Sequence, residues 1–305
     1  MKSFKTHLTE AAGVPTICEL MSDSSPDRFI DLYTAVGEGT GGYYDYTSSR
    51  KTSINKLYQL MAKALNQTFT PDKQAAYKQL IEYIFAMYSW FESQGGAKAP
   101  FMPKIVKMAS CPGKAAWAGY SGKVYRGLFK SRDWIKGLKF TGEVVEKKDA
   151  FFAVANGVYK SKYAAQSWAK DFEVSMSFTS DQYGSSAGGI GVIMETNVTK
   201  QNTFLSPEIS NTLGSYGEDE IIRVSNVPTP VKMYVQLDNF VEQEMQTMSR
   251  DYLKKLENID SEKEQIRLVT EYAEKRLATI LGTTAAKQIA NHPKFKTLLK
   301  KQGWL

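Results

Sequence analysis

Lys123-Val124-Tyr125-Arg126-Gly127-Leu128-Phe129 alternates as a strand does, with Val124, Arg126 and Leu128 on one face and Tyr125 and Phe129 on the other. The character of the chain changes at this stretch. From here to residue 237 it runs in short β-like pieces: Lys123–Phe129, Gly142–Glu146, Phe151–Ala155, Phe172–Ser180, Gly191–Glu195, Ile221–Val224 and Val231–Leu237. Glycines and polar turns separate them. Tyr163–Lys170 reads as one helical interruption.

Upstream the signals are helical. Residues 12–50 are rich in Gly, Ser, Asp and Tyr and read as irregular, apart from a short helix near Arg28–Ala35. Residues 52–65 set Ile54, Leu57, Leu60, Met61 and Leu65 at helical spacing. Thr70-Pro71-Asp72 opens a further helix with a hydroxyl cap, a proline in the first turn and an early acid. It runs to about Phe91, burying Tyr77, Leu80, Ile81, Ile84, Phe85 and Tyr88, and Gln94-Gly95-Gly96 ends it. Downstream, Asp238 or Asn239 caps a helix reaching Leu256. Ser261 and Glu264 have capping-box spacing for a second helix that stops at Gly282. Thr283 or Thr284 starts a third, interrupted at Pro293 before the basic run Lys294–Lys301. No internal repeat is present. The reading is α+β, with segments 1–10, a helical part 11–118, a β-rich core 119–237 and a helical part 238–305.

With 305 residues and 42% hydrophobic content, the chain can bury one large core or two modest ones. Its formal net charge of +7 suits contact with nucleic acid or other polyanions, but is also common in proteins that touch none. Cys18 and Cys111 lack metal-type spacing; no disulfide framework is expected, and a reducing compartment fits better. His7 and His292, the two histidines, lie in an end segment and a polar helical tail. That argues against zinc hydrolysis and Ser-His-Asp chemistry, so no metal is expected. No apolar run approaches the length of a membrane span, and no membrane partner is expected.

Three pieces carry the chemistry. In Glu218-Asp219-Glu220, strand geometry would set Glu218 and Glu220 on one face, and paired carboxylates are costly outside chemistry or cation binding. Read alone, the run also fits a solvated acidic turn. Arg126, flanked by apolar neighbours on a core strand, calls for an anionic partner such as a phosphate; alternatively it pairs with a carboxylate of the protein itself or is simply exposed. Ser177-Phe178-Thr179-Ser180 ends the run Phe172–Ser180, with Ser175, Ser177 and Thr179 on one face. Such hydroxyls either hold a glutamate in one rotamer or are ordinary exposed strand hydroxyls.

In this order the three pieces resemble the arginine-specific mono-ADP-ribosyltransferases of the R-S-E class, over roughly residues 70–237. Tyr125-Arg126-Gly127 resembles that family's strand arginine, Ser177–Ser180 its Ser-Thr-Ser strand end, and Glu218–Glu220 its Glu-x-Glu pair. Phe204–Gly217 resembles its turn-turn loop, with Tyr216 as the aromatic. The chain departs from the pattern where Ser-Thr-Ser reads Ser-Phe-Thr-Ser, so either Ser177 or Ser180 takes the orienting role. The resemblance implies a split β core of two packed sheets and NAD as substrate, bound through Arg126, Tyr125, Gly127, Ser177, Thr179 and Ser180. It further implies Glu220 at the reacting ribose, Glu218 at the acceptor, Tyr216 against the target, and host proteins modified on arginine.

Met1–Glu10 (MKSFKTHLTE) resembles the capsid-targeting peptide of internal head proteins of T4-like phages, with cleavage after Leu8-Thr9-Glu10. That implies packaging in a virion beside phage DNA, followed by delivery to the host cytoplasm. A frayed polar N-terminus is the alternative. Gly37-Glu38-Gly39-Thr40-Gly41-Gly42 has the letters of a dinucleotide fingerprint but precedes Tyr43-Tyr44-Asp45-Tyr46, not a helix, and reads as a loop. Ser185–Gly191 is glycine-rich but lacks the Lys-Ser/Thr of a P-loop. Two other functions fit the same residues: a non-catalytic DNA-binding head protein, and an NAD glycohydrolase that uses water as acceptor.

Overall fold

A computed structural model of the chain describes residues 13–40, 51–92, 100–113, 116–179, 189–213, 219–225 and 227–305. Ser180, Tyr216, Glu218 and the segment 1–10 lie outside the described residues. The first helices are α1 (Ile17–Met21), α2 (Asp27–Thr40), α3 (Lys51–Ala64), α4 (Gln74–Glu92) and α5 (Met102–Ala109). Then come β1 (Gly122–Lys130), α6 (Arg132–Lys136), β2 (Lys139–Lys147), β3 (Ala150–Tyr159), β4 (Ala165–Ala169) and α7 (Phe172–Ser177). β5 (Ile190–Val198), β6 (Thr203–Phe204), α8 (Pro207–Leu213), β7 (Glu220–Val224) and β8 (Thr229–Gln236) follow. The chain ends in α9 (Asp238–Met245), α10 (Arg250–Glu257), α11 (Glu262–Leu281), α12 (Thr283–Ala290) and α13 (Pro293–Lys301). The class is α+β, and among the described residues no helix is long and apolar enough to cross a membrane.

Two compact units share the chain: residues 1–122, 161–170 and 197–226 form the first, and residues 123–160, 171–196 and 227–305 the second. In the first unit, α2, α3 and α4 bury Phe29, Leu32, Val36, Leu57, Met61, Tyr77, Leu80, Ile84 and Trp90 in one cluster. The strands β4, β7 and β6 lie side by side, antiparallel, with Ala169 opposite Glu220, Ser167 opposite Ile222 and Phe204 also opposite Ile222. Glu220, Ile222 and Val224 share a face. Ile222, Val224, Ala165 and Phe204 all belong to the helical cluster, so that face is the one packed on the helices. Arg223, on the opposite face, is buried with its guanidinium 5.8 Å from the centre of the Trp168 ring.

In the second unit the strand order is β2-β3-β8-β5-β1, with antiparallel pairing of β2 to β3, β3 to β8 and β5 to β8. One face gathers Phe152, Val154, Ile193, Tyr234, Val145 and Tyr125 beneath Phe172 and Met176 of α7. The other face carries Phe151, Ala153, Val235 and Met233, and α9, α12 and α13 pack against β2 and β3. Glu244 of α9 is buried and bonds both Arg132 of α6 and Arg276 of α11, tying the helical part together. Each unit thus has one layer of strands packed on helices, not the two packed sheets implied by the resemblance. In the second unit, helices already cover both faces, so no second sheet is needed to bury them.

Several sequence expectations hold. Ser261 caps α11, Gly282 (φ +81°) ends it, and Pro293 opens α13. Other expectations are corrected. Phe172–Ser177, expected as part of a strand, is a helix: Asp171 accepts from the Glu173 amide at 2.7 Å and starts α7, whose Phe172 and Met176 pack at helical spacing. The strict alternation of Phe-Glu-Val-Ser-Met-Ser mimics a strand, but the cap and the packing decide. Tyr163–Lys170 is not helical, because registered pairing with β7 draws Ala165–Ala169 into β4 despite its lack of β-branched residues. Gly37–Thr40 forms the last turn of α2 instead of a loop; a side chain at Gly37 would meet Tyr88 only at 3.6 Å. The helix expected to reach Leu256 breaks in two, because the Ser249 side chain accepts from the Tyr252 amide and caps α10. Pro207–Leu213, read as part of a turn-turn loop, is α8. Cys18 and Cys111, expected to stay unpaired, form a disulfide within the first unit, their Cα atoms 5.1 Å apart.

Gly127 is fixed by packing. A Cβ there would overlap the Ser175 carbonyl oxygen and lie 3.0 Å from Phe178 Cβ. The obstacle is backbone, which cannot rotate away. Gly127→Ala should therefore destabilise the second unit by about 3 kcal/mol, the upper range for overpacking. Urea denaturation followed by circular dichroism measures it, and an unchanged midpoint would contradict the close approach of α7 to β1.

Candidate active site

Glu220 is the first residue of β7 and is only 7% exposed. Its Oε1 accepts a hydrogen bond from the indole Nε1–H of Trp90 at 2.7 Å. Trp90 lies on the buried stripe of α4 that includes Tyr77, Leu80, Ile84 and Met87. A buried indole needs an acceptor for its N–H, and a buried carboxylate needs a donor. Each group meets the other's requirement, and one carboxylate oxygen is held at a fixed point in the apolar first unit.

The residue just before Glu220 is strained. Asp219 has φ +47°, a left-handed backbone that non-glycine residues adopt infrequently. Three hydrogen bonds pin it. Its amide donates to Asn211 Oδ1 at 3.1 Å, the Asn211 side-chain amide donates back to its carboxylate, and the Lys170 amide donates to its carbonyl at 3.3 Å. Strain held by surrounding bonds concentrates where a side chain must be aimed. This turn also means that strand alternation starts only at Glu220, so the two-residue argument for a shared Glu218/Glu220 face does not apply.

The other candidates lie in the second unit. Arg126 is half-buried in the middle of β1. Tyr125 meets Phe172 edge-on, with ring centroids 5.5 Å apart. Gly127 lies under the Ser175 carbonyl, so the Tyr125/Gly127 face of β1 is the one that α7 covers. Arg126 points from the opposite face. The Ser177 hydroxyl, on the exposed side of α7, donates to the Val174 carbonyl at 2.7 Å. Arg126 and Ser177 are thus not brought to one face. Thr179 is buried; its hydroxyl donates to the Met176 carbonyl at 2.6 Å and reaches Gln236 Oε1 at 3.5 Å. The structure joins Tyr125, Gly127 and Thr179 around α7 and joins Glu220 to Trp90.

Sequence reasoning missed Trp90. Its signal was available: a tryptophan continuing the buried stripe of an amphipathic helix carries an N–H that must find a partner. It also missed a polar string beside Tyr125. The Tyr234 hydroxyl donates to Glu195 Oε2 at 2.8 Å, and Lys123 lies 3.1 Å from Glu195 Oε1. Burial, then the Glu195 contact, push the Tyr234 phenol well above its ordinary range, while the Glu195 bond raises Lys123. The phenol therefore stays protonated as a donor. Lys147 Nζ sits 4.6 Å from the Phe172 ring centre and 4.8 Å from that of Tyr234, over an aromatic cluster. Among the described residues, no group of three His, Cys, Asp or Glu side chains is placed to hold a metal ion. The chain matches no protein-family model, no curated protein and no solved structure.

Proposed function

We propose that the chain is an arginine-directed mono-ADP-ribosyltransferase that uses NAD, with Glu220 as the carboxylate at the reacting ribose. The observation that carries this reading is the Glu220 carboxylate itself, buried at the start of β7 and oriented by Trp90 just after a strained Asp219. The order of Tyr125-Arg126-Gly127, the Ser177–Ser180 run and Glu218–Glu220 supports it through the family resemblance. So does the fixed carboxylate, because a glycosidic bond breaks with positive charge developing at the anomeric carbon, and a preset negative charge stabilises that state more than the ground state.

In this reading Glu220 accepts a hydrogen bond from the 2′-hydroxyl of the nicotinamide ribose. The anomeric C–N bond breaks, and nicotinamide leaves with the electron pair. A guanidine nitrogen of the target arginine then forms the new C–N bond, and its proton passes to Glu218, since a protonated guanidinium is a poor nucleophile. Tyr216 keeps the contact with the target that the resemblance assigns. The Trp90 indole orients Glu220; the Ser177 hydroxyl donates to the Val174 carbonyl, and Ser180, the other serine expected in the orienting role, lies outside the described residues.

Incubating the purified chain with NAD labelled in the adenylate and with agmatine as acceptor tests the reading. A labelled agmatine adduct with matching nicotinamide release is expected. Release without adduct would replace transfer by hydrolysis, and neither product would reject NAD chemistry altogether. Glu218→Gln should lower adduct formation more than NAD hydrolysis, and an equal loss of both would reject its acceptor role.

A further inference from the structure

The net positive charge of this protein comes from one segment. Residues 275–305 contain Lys275, Arg276, Lys287, Lys294, Lys296, Lys300 and Lys301 and no aspartate or glutamate. Removing these seven from the 39 basic residues leaves 32, equal to the 32 acids of the whole chain. Residues 1–274 are therefore electroneutral, and the end of α11 with α12 and α13 holds the entire net charge of +7. An asymmetry of this kind marks contact with a polyanion.

The fold turns that charge outward. Ala285, Ala286 and Ile289 of α12 and Phe295, Leu298 and Leu299 of α13 are buried. Lys287, Lys294 and Lys300 are exposed and Lys296 is half-buried. Arg276 is consumed by Glu244 and Lys301 by Glu146. Among the described residues, Lys287, Lys294, Lys296 and Lys300 form no ion pair. Four unneutralised ammonium groups thus sit on two short, well-packed helices.

We propose that the α12–α13 surface is a binding face for the phosphate backbone of double-stranded DNA, read without regard to sequence. Two features select this partner. The apolar sides of α12 and α13 are already buried in the protein, so nothing remains to insert among lipid chains, as surface-bound amphipathic helices require. Residues 277–305 carry lysine as their sole cation and no arginine, the side chain that most often reads guanine edges. Lysines on phosphates position a protein and carry no sequence information. The inference does not rest on NAD chemistry, because its readout is binding without turnover.

The test is fluorescence anisotropy of a labelled 20-base-pair duplex against salt, with the full chain. Four phosphate contacts give a slope of log affinity against log salt of about −3.6, an affinity loss on the order of a hundredfold between 50 and 200 mM salt. Lys294→Gln/Lys296→Gln/Lys300→Gln should make that slope shallower by about 2.7. The control Lys254→Gln/Lys255→Gln/Lys263→Gln removes the same charge from exposed positions on α10 and α11 and should leave the slope unchanged. Matching melting curves confirm that both variants fold. Equal losses in the two variants would overturn the proposal, reducing the effect to net charge. Absent duplex binding, or tighter binding to phosphatidylserine vesicles than to the duplex, would overturn it as well.

Discussion

Glu220→Gln is expected to lower ADP-ribosyl transfer about 10²–10³-fold, the loss typical when one preset electrostatic contact to a developing charge is removed. The same change should cost the fold about 1 kcal/mol or less, because the glutamine carbonyl can still accept from the Trp90 indole and only the charged character of the bond is lost. This pairing of a large kinetic effect with a small structural one separates a reacting group from a core anchor. Trp90→Phe is the complementary change. It keeps an aromatic ring in the cluster but removes the donor that aims Glu220, so kcat should fall about tenfold, the equivalent of one charge-assisted hydrogen bond. The KM for NAD should move little, since an orienting bond acts on the transition state. Single-turnover transfer to agmatine, with thermal melts alongside, measures both. Full activity in Glu220→Gln would end the assignment. A fall in Tm of several degrees without loss of transfer would make the carboxylate a structural partner of the indole.

The legible parts of the fold were those governed by local rules. The α4 stripe, the Ser261 cap, the Gly282 stop and the β1 alternation each follow from a few consecutive residues, and each is where the sequence puts it. Elements decided by distant partners were not legible. Ala165–Ala169 is extended because Glu220–Val224 pairs with it, and nothing in Ala-Gln-Ser-Trp-Ala announces that pairing. Phe172–Ser177 alternates like a strand, yet Asp171 caps it as a helix that lies on Tyr125 and Gly127.

The candidate site divides the same way. Glu220 at the start of a strand was legible, because Ile221 and Ile222 follow it in a β-like run. Its partner was not, since Trp90 is 130 positions away in sequence and on a helix read for its apolar periodicity alone. The orienting hydroxyl was sought by motif. Of the two serines the letters allow, Ser177 sits on a helix and donates to the Val174 carbonyl, and Ser180 lies outside the described residues. An indole N–H does the same physical work for a carboxylate as a serine hydroxyl, and motif letters do not include it.

Reducing the Cys18–Cys111 bridge should have the largest effect on stability. The bridge closes a span of 93 residues. In the chain-entropy model a loop of about 100 residues loses about 4.7 kcal/mol of denatured-state freedom when closed. The bridge joins α1 to the turn after α5, with α2, α3 and α4 inside the span. Helices α1 to α5 of the cluster that supports Trp90 are therefore either cross-linked or enclosed, with α8 outside the span, and opening the bridge should loosen the platform beneath Glu220. At a slope of about 2–3 kcal/mol per molar urea, the unfolding midpoint should fall by about 2 M on reduction. Cys18→Ala/Cys111→Ala should reproduce the fall and no longer respond to reductant. That double variant is the decisive control, because the chain has no other cysteine. Hydrogen exchange gives the local reading: protection should be lost first in α1 and α5, the elements beside the bridge. If reductant leaves the midpoint unchanged while the double variant lowers it, the loss comes from packing of the sulfur atoms and not from the cross-link. If neither treatment moves the midpoint, packing of the helices alone holds α1 against α5.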